Sequence, residues 1–144
     1  MSNSFKKSSA SLLATALGAL FLASIGVANA AESKVVLSGA EETPPVNSSA
    51  TGKAAIKIDA DKSISGNVDT QGVAGTAVHI HAGDVGKKGP PIVTLKKVSD
   101  NSWAIPEGTK LTDEQLASYN AGQLYINVHS SENKGGEIRG QLKP

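Results

Sequence analysis

Leu124-Tyr125-Ile126-Asn127-Val128-His129 is the stretch that decides the fold. Leu124, Ile126 and Val128 alternate with Tyr125, Asn127 and His129. Successive side chains on a strand point to opposite faces, so this period of two predicts one apolar and one polar face. The pattern returns in Ile138-Arg139-Gly140-Gln141-Leu142, after the Gly-rich loop Ser130 to Gly136. Two alternating runs around such a loop predict a hairpin.

Outward from this hairpin the same period recurs. Ala54, Ile56 and Ile58 alternate with Lys53, Ala55 and Lys57 between Gly52 and Asp59. Asp59-Ala60-Asp61-Lys62 supplies turn chemistry before Ile64 to Val68 returns as a partner. Lys34 to Ser38, Thr76 to His81, Ile92 to Leu95 and Ser102 to Ile105 are further short strands. Ala40 to Ser49 carries Pro44-Pro45 and reads as an extended loop or edge segment. One helix is expected. Thr112-Asp113-Glu114-Gln115 is a capping box, in which a Thr hydroxyl and a Gln side chain satisfy each other's backbone amides. Gly122 offers the left-handed residue that ends it. Eight or so strands with one short helix predict a single all-β domain, an antiparallel β-sandwich or barrel.

The first 30 of the 144 residues read differently. Lys6 and Lys7 precede an apolar run from Leu12 to Val27, and Ala28-Asn29-Ala30 completes the pattern of a cleavable signal peptide. Residues 1–30 are therefore expected to direct export, leaving 31–144 as the working domain in the periplasm or outside the cell. Losing Lys6 and Lys7 turns 14 basic residues into 12, against 13 acidic ones. A near-neutral domain lacks the basic footprint of a nucleic-acid binder. No second apolar run suggests a membrane span after the signal is removed. The chain has no Cys, which rules out a disulfide framework, a thiol nucleophile and a Cys-ligated metal.

All three histidines fall on polar strand faces. His79 and His81 are two apart, which places them on one side of a strand roughly 6.5–7 Å apart. His129 ends its strand on the face opposite Leu124, Ile126 and Val128. If the two strands are neighbours, three imidazoles can meet on one ion. Imidazole suits copper, zinc, nickel and iron, and three such ligands leave a position open for water or substrate. Copper is the first choice, because divalent affinity peaks there, and zinc the second. The competing reading is that a His-x-His strand is surface decoration. Arg139 lies on the same side as His129 by alternation, where it could attract a small anion or simply pair with Glu137 or Glu132. Glu137, Asn127 and Gln141 are candidates to orient the imidazoles. Glu41-Glu42 is expected to be solvated, and Trp103 to be a core residue. No Ser sits in a Gly-x-Ser-x-Gly turn, and Lys87-Lys88-Gly89 lacks the spacing of a phosphate loop.

Three ordered motifs carry a family resemblance. Leu37-Ser38-Gly39-Ala40-Glu41-Glu42-Thr43-Pro44-Pro45-Val46, His79-Ile80-His81-Ala82-Gly83, and the closing stretches Ala121 to Ser130 and Gly135 to Leu142 resemble the CHRD (chordin-type) domain. The resemblance spans nearly all of residues 36–142. It implies an extracellular or exported domain and says little about activity. The His-x-His strand and late Val128-His129 also resemble the copper side of the copper/zinc superoxide dismutases. That likeness implies a Greek-key β-barrel with His79, His81 and His129 as copper ligands and Arg139 as the residue guiding the anion. It stops at the zinc side: there is no fourth His to bridge two metals and no Cys pair.

The expected function is an exported copper-binding protein that acts on a small anion such as superoxide. A non-catalytic copper binder and a metal-free adhesion module are the alternatives.

Overall fold

The computed structural model describes residues 32–144; the expected signal peptide lies outside the described residues. Among the described residues there are nine strands: β1 Glu32–Ser38, β2 Thr51–Ile58, β3 Ile64–Gln71, β4 Gly75–Ala82, β5 Pro91–Thr94, β6 Lys96–Ser99, β7 Ser102–Ala104, β8 Leu124–Ser130 and β9 Ile138–Leu142. The helix α1, Asp113–Asn120, lies between β7 and β8. All strand pairs are antiparallel, in one sheet ordered β5-β4-β8-β9-β1-β2-β3-β7-β6.

The two edge strands, β5 and β6, are consecutive in the chain and separated by Leu95 alone. A sheet whose opposite edges are one residue apart must curl almost into a closed barrel. Leu95 is buried and its N–H donates to Val78 O at 2.9 Å. The connections β3 to β4 and β7 to β8 join strands that are not neighbours, which gives the Greek-key character. The expected all-β architecture with one short helix is thus observed.

The barrel interior is filled by the alternating apolar residues. Leu37, Ile56, Val68, Val78, Ile80, Leu124, Ile126, Val128, Ile138 and Leu142 are fully buried. Trp103 joins them, as expected.

Strand β6 was not expected. Its Lys96-Lys97-Val98-Ser99 is exposed throughout, so no alternation marks it. It forms because it can pair with β7 at the sheet edge. Strand β3 also runs three residues beyond the expected Val68, through Asp69-Thr70-Gln71, held by pairing with Lys53, Gly52 and Thr51.

The capping box is present. Thr112 Oγ1 accepts from Gln115 N–H at 3.1 Å, and Gln115 Oε1 accepts from Thr112 N–H at 2.9 Å. Gly122 at φ 71° turns the chain into β8. Replacing Thr112 by Ala should cost about 1 kcal/mol. Urea unfolding measures this, and an unchanged midpoint would show that the cap is not limiting.

Candidate metal centre

The outer face of β4, β8 and β9 is where the polar residues converge. Strand β4 pairs directly with β8, in a register that sets His79 opposite Asn127, His81 opposite Tyr125 and Ala77 opposite His129. His129 is therefore diagonal to His79, and His79 and His81 share a face by the strand period. Ring centroids are 4.9 Å apart for His79 and His129, 5.5 Å for His79 and His81, and 5.8 Å for His81 and His129. One nitrogen from each ring lies within 4.8 Å of the other two, so the three histidines form a cluster that can hold a metal ion.

The hydrogen bonds decide which nitrogens are offered. His81 Nδ1 is 2.9 Å from Gly89 O, and His129 Nδ1 is 2.9 Å from Lys134 O. A carbonyl only accepts, so both Nδ1 atoms carry the proton and both Nε2 atoms carry a lone pair. His81 Nε2 is buried without a partner. His79 Nδ1 lies 3.1 Å from His129 Nε2. Two metal–nitrogen bonds of about 2 Å at a tetrahedral angle separate their nitrogens by roughly 3.3 Å. The donor set therefore fits an ion, which would take the place of the proton shared by His79 and His129 and would give His81 Nε2 its partner. Burial pushes the His79 and His81 pKa values below the ordinary imidazole range, and the neighbouring His129 adds to this; the Gly89 carbonyl opposes it at His81.

Backbone carbonyls do the orienting that Asn127, Gln141 and Glu137 were expected to do. Asn127 Nδ2 donates to Glu42 Oε2 at 3.3 Å. Gln141 Nε2 donates to Gly83 O at 2.9 Å and Gly122 O at 2.8 Å. Glu137 accepts from Ser48 Oγ at 2.7 Å. All three fasten loops over the sheet, and none has a side-chain hydrogen bond to an imidazole among the described residues.

Arg139 faces the same side as the histidines, opposite Asn127 in the register. It is 2% exposed. Its guanidinium donates to Lys87 O at 2.7 Å, Asp84 O at 2.9 Å and Gln141 Oε1 at 3.1 Å. It also lies 3.5 Å from the centre of the Tyr125 ring. The expected pairs with Glu137 or Glu132 are not among the ion pairs of the described residues.

Tyr125 is the residue that sequence reasoning missed. Its other face stacks on His81, with centroids 4.9 Å apart and planes within 8°. Its hydroxyl accepts from Gly89 N–H at 3.1 Å. Tyr125 thus fixes both the ring of His81 and the residue whose carbonyl holds that ring. Its place in the alternation, on the face of His129, was the available signal.

Glu42 corrects a second expectation. Glu41 is exposed, but Glu42 is 6% exposed, because the loop 39–50 folds back over the outer face of β8 and β9. Burial pushes its carboxyl pKa up, against the opposing charges of Arg139 and Lys88 and the hydrogen bonds of Asn127 and the Thr43 amide.

Gly89 is packed so tightly that a Cβ there would fall on the Ala82 carbonyl. Gly89→Ala must displace the carbonyl that holds His81, which should weaken metal binding by about 10- to 100-fold. Competition with a chelator of known strength checks this; an unchanged affinity would mean that His81 is held by other contacts.

The fold and cluster together define a class: a Greek-key β-barrel with a three-imidazole cluster on its outer face. The sequence matches the CHRD domain over residues 33–142, and the chain belongs to that family. No curated protein and no solved structure matches the chain.

Proposed function

We propose that the protein is an exported copper-binding protein whose metal is held by His79, His81 and His129. The observation that carries this reading is the convergence of three imidazole nitrogens, two of them on rings whose other nitrogen is already committed to a carbonyl. Such a set is neutral and soft enough for copper, while calcium and magnesium demand oxygen. Zinc is the second choice.

Copper would supply two oxidation states one electron apart, which dismutation of superoxide to oxygen and peroxide requires. The chain's own contribution is positional and electrostatic. Gly89 O and Lys134 O fix two ligand tautomers. Arg139 acts through its field, since it is 2% exposed and three of its N–H groups are bound to Lys87 O, Asp84 O and Gln141 Oε1. Lys87, Lys88 and Lys134 are exposed on the two loops that carry those carbonyls, beside the exposed acids Asp84 and Glu132, and the basic excess there raises the local concentration of a small anion.

Copper(II) added to the metal-free protein should bind one equivalent with nitrogen couplings in its electron paramagnetic resonance spectrum. A dismutation rate above that of the His129→Ala variant supports the enzyme. Equal rates with tight copper uptake leave a copper carrier or store. No uptake at a micromolar excess would overturn the metal reading and favour an adhesion module.

The lowered His79 and His81 pKa values fix the sign of the pH dependence. The neutral ring is the ligand, so protons compete only at lower pH than for free imidazole. Copper affinity should be flat from pH 8 to about 6.5 and fall below that. The metal-free fold follows the same sense: the contribution of these rings is complete above about 6.5 and is lost as pH falls through the lowered values. Competition titrations from pH 5 to 8 test this, and an onset above pH 7 would contradict it.

A further inference from the structure

Two buried oxygens on the site face have no hydrogen-bond partner: Glu42 Oε1 and Asn127 Oδ1. They belong to residues already joined by the bond from Asn127 Nδ2 to Glu42 Oε2. Both press on Gly136, where a Cβ would stand 2.5 Å from Glu42 Oε1 and closer still to Asn127 Oδ1. Both oxygens thus flank one glycine, whose φ of 126° suits no other residue well.

With the arm from Asn127 Nδ2 to Glu42 Oε2 in place, the second arm open to this carboxyl and amide joins the two remaining oxygens, Glu42 Oε1 and Asn127 Oδ1. The amide has one nitrogen, so it can donate along only one arm, whichever way it is turned. The other arm sets oxygen against oxygen, and a buried oxygen pair is costly unless a proton lies between them. Only the carboxyl can carry that proton.

We propose that Glu42 is a neutral carboxylic acid in the folded protein, closing a cyclic pair with the Asn127 amide. Arg139, which lies over the Tyr125 ring that stacks on His81, then has no ionised partner in the loop 39–50.

The charged groups facing Glu42 are Arg139 from β9 and Lys88 from the loop 83–90, and both favour the ionised form. Burial outweighs them, which is the direction the pair requires. Arg139 is directed elsewhere, to two carbonyls and Gln141, and none of the ion pairs among the described residues includes it. The remaining buried acid of this face is Glu137, whose desolvation is outweighed by hydrogen bonds from Ser130, Ser48 and Asn133, so that it stays ionised. A neutral Glu42 therefore leaves one buried cation, Arg139, and one buried anion, Glu137, on the site face, and an ionised Glu42 would add a second negative charge beside an anion at the open metal position, a step that rests on the metal reading above.

Infrared spectroscopy of the wild-type protein at pH 7 tests the acid without any metal. The expected result is the carbonyl band of a neutral carboxylic acid, shifted in heavy water and absent from Glu42→Gln. No such band would overturn the proposal. If Glu42→Gln fails to fold, titration of the wild type from pH 5 to 9 decides the matter. The band should persist at pH 7 and vanish only above it; its disappearance at or below pH 7 overturns the proposal. The second arm uses copper-loaded protein and azide. Glu42→Gln should bind azide within about twofold of the wild type, because no charge has been removed. Tighter azide binding by several-fold would show that Glu42 is ionised. If copper does not bind at all, the metal reading fails and the infrared result still stands or falls alone.

Discussion

The His129→Ala variant should lose copper(II) affinity by at least about 100-fold, beyond the usual effect of removing a supporting hydrogen bond. Two nitrogens remain, and both come from one strand. They can no longer enclose an ion from two sides. His129 is only half-buried and ends its strand, so the fold should survive with little change in melting temperature. The His81→Ala variant should lose as much affinity but also some stability, because it removes a ring stacked on Tyr125. Isothermal titration on both variants, with circular dichroism as the folding control, gives the comparison. Copper affinity within tenfold of the wild type in folded His129→Ala would mean that the ion sits elsewhere.

Arg139→Met should destabilise the protein by about 3 kcal/mol, which for a domain of this size lowers the melting temperature by at least about 10 °C. The guanidinium is buried over the Tyr125 ring and holds two carbonyls of the loop 83–90 at once. Met can fill part of the volume but leaves Lys87 O and Asp84 O without that donor. Arg139→Lys keeps the charge and loses the planar fork, so it should recover less than half of the stability. Thermal unfolding of the two variants separates shape from charge. Full recovery by Lys would mean that only the charge matters. Because the same loop carries Gly89, both variants should also loosen the grip on His81.

The barrel was legible because its inner face obeys a strict alternation. Leu124, Ile126 and Val128 point inward, and the capping box and Gly122 bracket the helix. The three histidines were legible for the same reason, since alternation placed each on an outer face. What alternation does not encode is the pairing of β4 with β8, on which the cluster depends. The outer face also looked exposed in the sequence, as any polar face does. In the folded chain the loops 39–50, 83–90 and 131–137 cover it, so Glu42, Asn127 and Arg139 are buried although their residue types suggest solvent. The carbonyls of Gly89 and Lys134 were invisible beforehand, because every residue carries a carbonyl and only the fold selects two of them. Strand β6 escaped for the opposite reason: it has no buried residue to betray it.

The single residue between β5 and β6 has a consequence for crowded conditions. An open sheet offers a row of free amides and carbonyls on which a second chain can grow. Here both rims flank Leu95, one led by Pro90-Pro91, which bring no N–H, and the other by Lys96-Lys97, which repel a like rim. A cysteine-free domain whose two open rims are blunted in this manner is expected to resist fibril growth without covalent staples, even when it is concentrated.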